Sequence, residues 1–357
     1  MSTAAQKADA RNYGADILRI VSMFMVVVLH LIGLHGSSVT GAAKTADLAV
    51  LSVVYCCVDC YALISGFVGY RKNKYTRNTV SFVTMWCQTV FYGIIIVSAV
   101  AVSGLCTVTA DAYITALLPL THNEYWYLTA YFGVFLCAPF INMVIDKIPA
   151  ASALSVCAGV MIFFSVIPFF TYMYDLQGGY SFVWLILLYI MGAALKKDDL
   201  YKRFSNKLLT IMLFVLFAAV NYVSAVTKGG SMQNAFQYTD PAVLAEAVML
   251  LLLFANLSPG KAASGIAKFA APAVFGVFLI HTQPLFFVWV FSKAFAWTAE
   301  LPSVLPTLAC LGCGAGILVV CILIDKLRIK LFEIIHLKKG IEAVYNAVHG
   351  LYEKIAG

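Results

Sequence analysis

The chain has 357 residues, of which 62% are hydrophobic and 11% charged, with a formal net charge of +7. A soluble protein carries about 25% charged residues, so this composition excludes an ordinary soluble enzyme and points to an all-α, polytopic membrane protein. The cationic excess suits an anionic membrane surface and argues against a nucleic-acid partner.

Apolar runs of about 17–25 residues signal membrane helices. They fall near 16–35, 47–70, 79–103, 125–145, 151–173, 180–196, 207–227, 241–257, 269–292 and 302–325, which predicts about ten crossings. Residues 1–15 read as a short polar tail. The run after them is long and lacks a small-residue cleavage site, unlike a signal peptide. Between the third and fourth runs, DAYITALLPL reads as an interfacial or re-entrant segment. With the N-terminus placed inside, twenty Lys and Arg fall on the cytoplasmic side and three outside, with Arg19 in the first helix. That bias predicts a multi-pass cell-membrane protein with both termini cytoplasmic. Residues 16–325 make the membrane domain and 326–357 a cytoplasmic tail. There Ile341, Val344, Tyr345, Val348, Tyr352 and Ile355 recur at helical spacing, as in an amphipathic helix on a lipid surface.

The first helix, DILRIVSMFMVVVLHLIGLH, carries Arg19 and His30 eleven residues apart. At about 100° per residue the two share nearly one face, roughly 16 Å apart along the axis. An ionisable group inside a membrane helix costs about 2.5–3.5 kcal/mol or more, which makes both residues functional candidates. The plainer alternative is an arginine that snorkels to the interface and a histidine that only bonds a neighbouring helix.

The second helix carries Asp59, followed by Ser65, Gly66 and Phe67. A carboxylate at this depth needs a partner, whereas Ser65 and Gly66 suit close helix approach. Cys57 and Cys60 have CxxC spacing but no second pair and no nearby histidine. Like the other cysteines they read as small apolar packers, and no metal is expected. The next loop, RKNKYTR, sets Arg71, Lys72, Lys74 and Arg77 at one mouth of the bundle. Positive-inside topology explains such a run; so does a phosphate site, since the arginine fork matches phosphate oxygens.

Before the fourth helix stands THNEYWYLTAYF. An interfacial aromatic belt accounts for Trp126 and Tyr127 but not for His122 and Glu124. The four together also suit sugar binding. Pro139 is expected to kink this helix. His281 lies in FGVFLIHTQP as a second intramembrane histidine, structural or catalytic, and Glu246 in the eighth helix is placed to pair with either histidine.

Taken together these residues resemble the acyltransferase family 3 membrane proteins, bacterial enzymes that O-acetylate envelope sugars. The carriers are the Arg19–His30 spacing, CYALISGFVGY at 60–70, the basic loop with FYG at 91–93, YWYLTAYFGVFLCAPFIN at 125–142, and FGVFLIH at 275–281. The likeness is to single-domain members and covers nearly the whole chain. It implies an acyl-CoA donor, usually acetyl-CoA, a hydroxyl of an envelope polysaccharide or lipid-linked sugar as acceptor, and essential Arg19 and His30. In that frame Arg19, Arg71, Lys74 and Arg77, with Ser65, are donor-binding candidates, and His122, Glu124, Trp126 and Tyr127 acceptor-binding ones. His30 acts as general base in preference to nucleophile. Asp59 or Glu246 orients its ring, and His281 is the alternative base.

Two other classes compete. A transporter or flippase of a lipid-linked sugar also uses central ionisable residues, but no internal repeat or matched pair of interrupted helices is seen. A non-enzymatic membrane sensor sits poorly with an intact Arg19 and His30.

Overall fold

The structure, a computed structural model, describes residues 11–36, 38–76, 78–171, 176–229 and 235–356. Among these the regular elements are all helical. Helix α1 (Tyr13–Gly33) starts where the Asn12 side chain accepts the Ala15 N–H at 2.9 Å, which satisfies an orphan donor of the first turn. Helices α2 (Gly41–Val54) and α3 (Cys57–Gly69) form one traverse broken at Tyr55 and Cys56. Helix α4 (Thr79–Ser103) is capped by Asn78 and stopped by Gly104 at φ +67°, the left-handed conformation that glycine tolerates. The segment expected to be interfacial or re-entrant contains the short α5 (Ala110–Leu117), whose Ala116 packs on Gly93.

Helix α6 (Trp126–Lys147) carries Pro139 without interruption, and α7 (Ala150–Thr171) contains a π-turn over Ile162–Val166. Helices α8 (Phe182–Lys196), α9 (Lys207–Thr227) and α10 (Pro241–Ala255) follow. Then come α11 (Lys261–His281), a shorter helical stretch over 284–295 named α12, α13 (Leu305–Ile334) and α14 (Leu337–Ala356).

Eight of these helical stretches are long and apolar enough to cross a membrane. Two shorter helices, α8 and α10, have 15 residues each, or about 22 Å, and are not among those eight. They lie among the most buried parts of the bundle, with Leu185, Leu188, Val243 and Leu251 fully enclosed.

Two predicted boundaries shift for identifiable reasons. The ninth run, expected at 269–292, is helical from Lys261 but stops at His281. Gln283 caps the next helix through the Phe286 N–H at 2.9 Å, and Pro284 occupies its first turn, where the missing N–H costs nothing. His281 therefore closes a helix instead of sitting mid-helix. The tenth run, expected to end at 325, continues to Ile334, so the boundary drawn at 326 falls inside α13. The polar residues that suggested an end are satisfied internally. Arg328 forks onto Asp325 at 2.7 and 3.0 Å, and Gln88 and Tyr92 donate to the same carboxylate at 2.9 Å.

The tightest helix pair is α3 with α8. A Cβ on Gly66 would collide with the Tyr189 carbonyl, and one on Gly192 with that of Leu63, so two glycines bring the backbones together as small residues do in membrane bundles. At the end of the bundle rich in Lys and Arg, the elements are tied by side chain to backbone bonds: Asn12 to Ala255 O, Asn256 to Tyr201 O, and Lys197 to Asp146 O.

Candidate functional site

The predicted stripe on α1 is one wall of a cavity of about 350 Å³, to which Arg19, Met23, Val26 and His30 contribute. Tyr61 and Ser65 of α3 face it, and Phe275 and Phe278 of α11 close another side. The wall between the two polar residues is thus mostly apolar.

His30 Nδ1 lies 3.0 Å from His281 Nε2, and His281 Nδ1 lies 2.6 Å from the Val277 carbonyl. A carbonyl only accepts, so His281 Nδ1 carries a proton and, in the neutral pair, its Nε2 accepts from His30 Nδ1–H. His30 Nε2 is left with its lone pair, on a ring that lines the cavity. The break after His281 matters here. His281 Nδ1 takes the carbonyl four residues back at the helix end, and that bond fixes the tautomer. Phe287 stands edge-on to His30 at 5.9 Å, and Phe278 and Phe291 flank His281 at 6.4 and 5.9 Å. Apolar rings therefore pack around the pair, with His281 buried and His30 half-buried at the cavity.

Arg19 pairs with Asp16 at 3.1 Å, and Asp16 also takes Arg11. Its side chain remains 28% exposed. The Tyr61 hydroxyl donates to the Arg19 carbonyl at 2.7 Å, which locks α3 to α1 beside the cavity.

The expected carboxylate partners of His30 are engaged elsewhere. Asp59 accepts from Trp184 Nε1 at 2.9 Å, and Glu246 from Asn221 Nδ2 at 2.8 Å. Each keeps one buried oxygen without a hydrogen-bond partner among the described residues. Asp59 faces α8 and Glu246 faces α9, so the orienting contact expected of them is made by His281 instead. Ser65 lines the cavity and donates to Tyr61 O at 2.8 Å. Arg71 and Lys74 are exposed on the loop after α3. Arg77 lies outside the described residues.

The four expected acceptor residues divide. Trp126 and Tyr127 line the cavity. His122 is exposed, within reach of Thr121 Oγ1 and Leu118 O. Glu124 accepts from Gln283 Nε2 at 3.2 Å and so braces the segment just after His281. Burial pushes its carboxyl above the usual range, against the hydrogen bond from Gln283. Two cavity residues carried no recognisable sequence signal: Tyr180 and Tyr238, in the connections before α8 and α10. Their rings lie 5.0 Å apart, and Trp126 meets Tyr180 at 4.7 Å and stacks with Tyr238 at 6.4 Å.

A second polar cluster was also not anticipated. His35 Nδ1 meets Asp47 at 2.7 Å, and its Nε2 meets Thr298 Oγ1 at 3.1 Å and Cys310 Sγ at 3.4 Å. Thr307 donates to the other Asp47 oxygen at 2.6 Å. All five side chains are buried.

No curated protein and no solved structure matches the chain. A family model described as an acyltransferase domain matches residues 12–326, which takes in both histidines, Arg19 and all but the edge of the helical bundle. The chain belongs to the acyltransferase family 3 membrane proteins.

Proposed function

We propose that this membrane acyltransferase moves an acyl group, acetyl above others, from cytoplasmic acyl-CoA to a hydroxyl of an envelope polysaccharide or its lipid-linked precursor. The observation that carries the reading is the His281–His30 pair, which leaves one unprotonated ring nitrogen on a residue lining the cavity that also holds Arg19. Acyl-CoA supplies an activated thioester at the end of a long thin arm. Arg19, Arg71 and Lys74 provide cations for its anionic end. His30 Nε2 takes the proton of the acceptor hydroxyl and returns it to the departing thiolate, so protons balance and no external acid is needed. His281 holds the ring in the required tautomer and shares the positive charge that develops. The rings of Trp126, Tyr180 and Tyr238 offer apolar faces of the kind that pack against a pyranose.

The test is release of CoA thiol by purified protein with acetyl-CoA, with and without candidate glycans, alongside mass analysis of envelope glycans from a deletion strain. Glycan-dependent thiol release and loss of acyl groups in the deletion support the reading. An unchanged glycan profile together with transport of a lipid-linked sugar overturns it in favour of a flippase. The orientation is checked by cysteine labelling in a cysteine-free background. Ser38→Cys should react from outside the cell and Asn73→Cys should not; the reverse pattern would place the donor on the wrong side.

A further inference from the structure

The loop after α3 is held by one residue that lies far away in sequence. Asp146, in the last turn of α6, accepts from the Tyr70 hydroxyl at 2.9 Å, from the Asn73 backbone N–H at 3.1 Å, and from the Tyr75 hydroxyl. One turn earlier Asn142 donates to the Gly69 carbonyl at 3.1 Å and is itself fixed by the Tyr189 hydroxyl. The two residues are four apart on one helix, so they present a single face to the loop. Asn73 is held at φ +57°, a left-handed conformation that asparagine tolerates better than most residues and that here aims its N–H at the carboxylate. Lys197, packed beneath, donates to the Asp146 carbonyl at 2.9 Å.

The clasp sorts the loop's cations. Lys72 pairs with Asp198 at 3.6 Å. Arg71 and Lys74 are exposed, and no ion pair to either is found among the described residues. An acidic side chain that grips a basic loop through tyrosines and a backbone N–H, and not through its Arg or Lys, leaves those charges available.

Building on the donor reading above, we infer that Asp146 is a positioning residue that fixes the 70–75 loop so that Arg71 and Lys74 hold the terminal 3′-phosphate of the CoA donor. The clasp touches no reacting atom. It fixes the backbone that carries two exposed cations, and so preorganises a phosphate contact. Simple Coulomb reasoning predicts the opposite effect for its removal, since deleting a carboxylate near the loop should favour an anion. The two accounts are therefore separable.

The experiment measures binding of acetyl-CoA and of 3′-dephospho-acetyl-CoA by calorimetry, and the rate at saturating donor. Wild type should prefer acetyl-CoA about tenfold, the worth of one charge-assisted hydrogen bond. Asp146→Ala should lose that preference, with affinity for the dephospho form and kcat unchanged. The double variant Tyr70→Phe with Tyr75→Phe retains the carboxylate but removes two of its three donors. It should lose the preference too, and it decides the matter if Asp146→Ala does not fold. An unchanged or larger preference in these variants overturns the inference. So does equal binding of both donors by a wild type that transfers acyl groups normally. A wild type that binds neither donor instead overturns the donor reading itself.

Discussion

Two histidines five residues apart near one end of α1 come to opposite surroundings. His30 has one ring nitrogen tied to His281, while its ring lines a cavity. His35 has both nitrogens occupied, by Asp47 on one side and by Thr298 and Cys310 on the other, and is fully buried. On residue types alone the second assembly is the more convincing catalytic site, since Cys310, His35 and Asp47 make the order of a thiol, an imidazole and a carboxylate. All five of its side chains are buried, and none of them lines the cavity beside His30. The cluster joins the end of α1 to α2, α13 and the short turn before α13, and its work is to hold them. The lesson is that a hydrogen-bonded triad becomes chemistry only where one nitrogen stays free and a space exists for the reacting group.

The sharpest way to break the comparison is to exchange function for stability at each histidine. His30→Ala should fold and bind acetyl-CoA nearly as wild type does, while transfer falls by about 10²–10⁴-fold, the usual worth of general acid–base catalysis. Calorimetry and turnover at matched protein amounts measure both. Transfer kept above about a tenth of the wild-type rate would remove His30 from that role. His281→Gln should be intermediate, with a loss of about 10–100-fold in kcat, by analogy with the outer partners that orient metal-bound imidazoles. A loss as large as that of His30→Ala, with binding intact, would make His281 a base in its own right.

At the other histidine the expectation inverts. His35→Ala leaves the Asp47 carboxylate and the Thr298 hydroxyl buried with a lost partner, at a cost of about 1–3 kcal/mol. The unfolding temperature in detergent should fall, while turnover per folded molecule stays at the wild-type level. Asp47→Asn should fall on the same side of the line. A His35 variant that is stable but inactive would contradict the division between the two sites.

The difference between the sites also explains what the sequence could tell. Arg19 and His30 lie on one helix, so a single angular count places them on one stripe. The long apolar helices were legible because length and apolarity are local properties, and eight of the stretches expected to cross are long and apolar enough among the described residues. The His30–His281 contact spans 251 positions, and no periodicity encodes it. A carboxylate was therefore the natural guess for the partner, and Asp59 and Glu246 were the carboxylates at hand. They turn toward Trp184 and Asn221 because those side chains stand on the neighbouring helices α8 and α9. The His35 cluster draws on four separate elements and shows no spacing at all. Tyr180 and Tyr238 reach the cavity from connections whose course is set by the fold and not by their own sequence. Asp146 was hidden by its place at a helix end, where a single acidic residue looks like an ordinary polar terminus.

The smallest effect is expected at Glu124, and it tests whether the imidazole pair depends on the brace at Gln283. Glu124 holds Gln283 two residues beyond His281, and one of its oxygens is buried without a hydrogen-bond partner among the described residues. Burial raises its carboxyl above the ordinary value. The folded protein therefore binds a proton at this site more tightly than the unfolded chain does. Its contribution to stability is complete below the unfolded value and is lost as pH rises through the raised folded value. Glu124→Gln keeps an acceptor for Gln283 and removes the titration. Wild type should lose thermal stability on going from mildly acidic to neutral pH by slightly more than the variant does. Near neutral pH the variant should melt at the same temperature as wild type or higher, with transfer retained, because the imidazole pair is still held by Val277. Melting curves of both proteins across that range decide it. Parallel pH profiles would show that Glu124 is not titrating in the folded protein. A stable Glu124→Gln protein that has lost transfer would show instead that the carboxylate itself is part of the site, and that the boundary drawn between brace and chemistry lies one residue too far in.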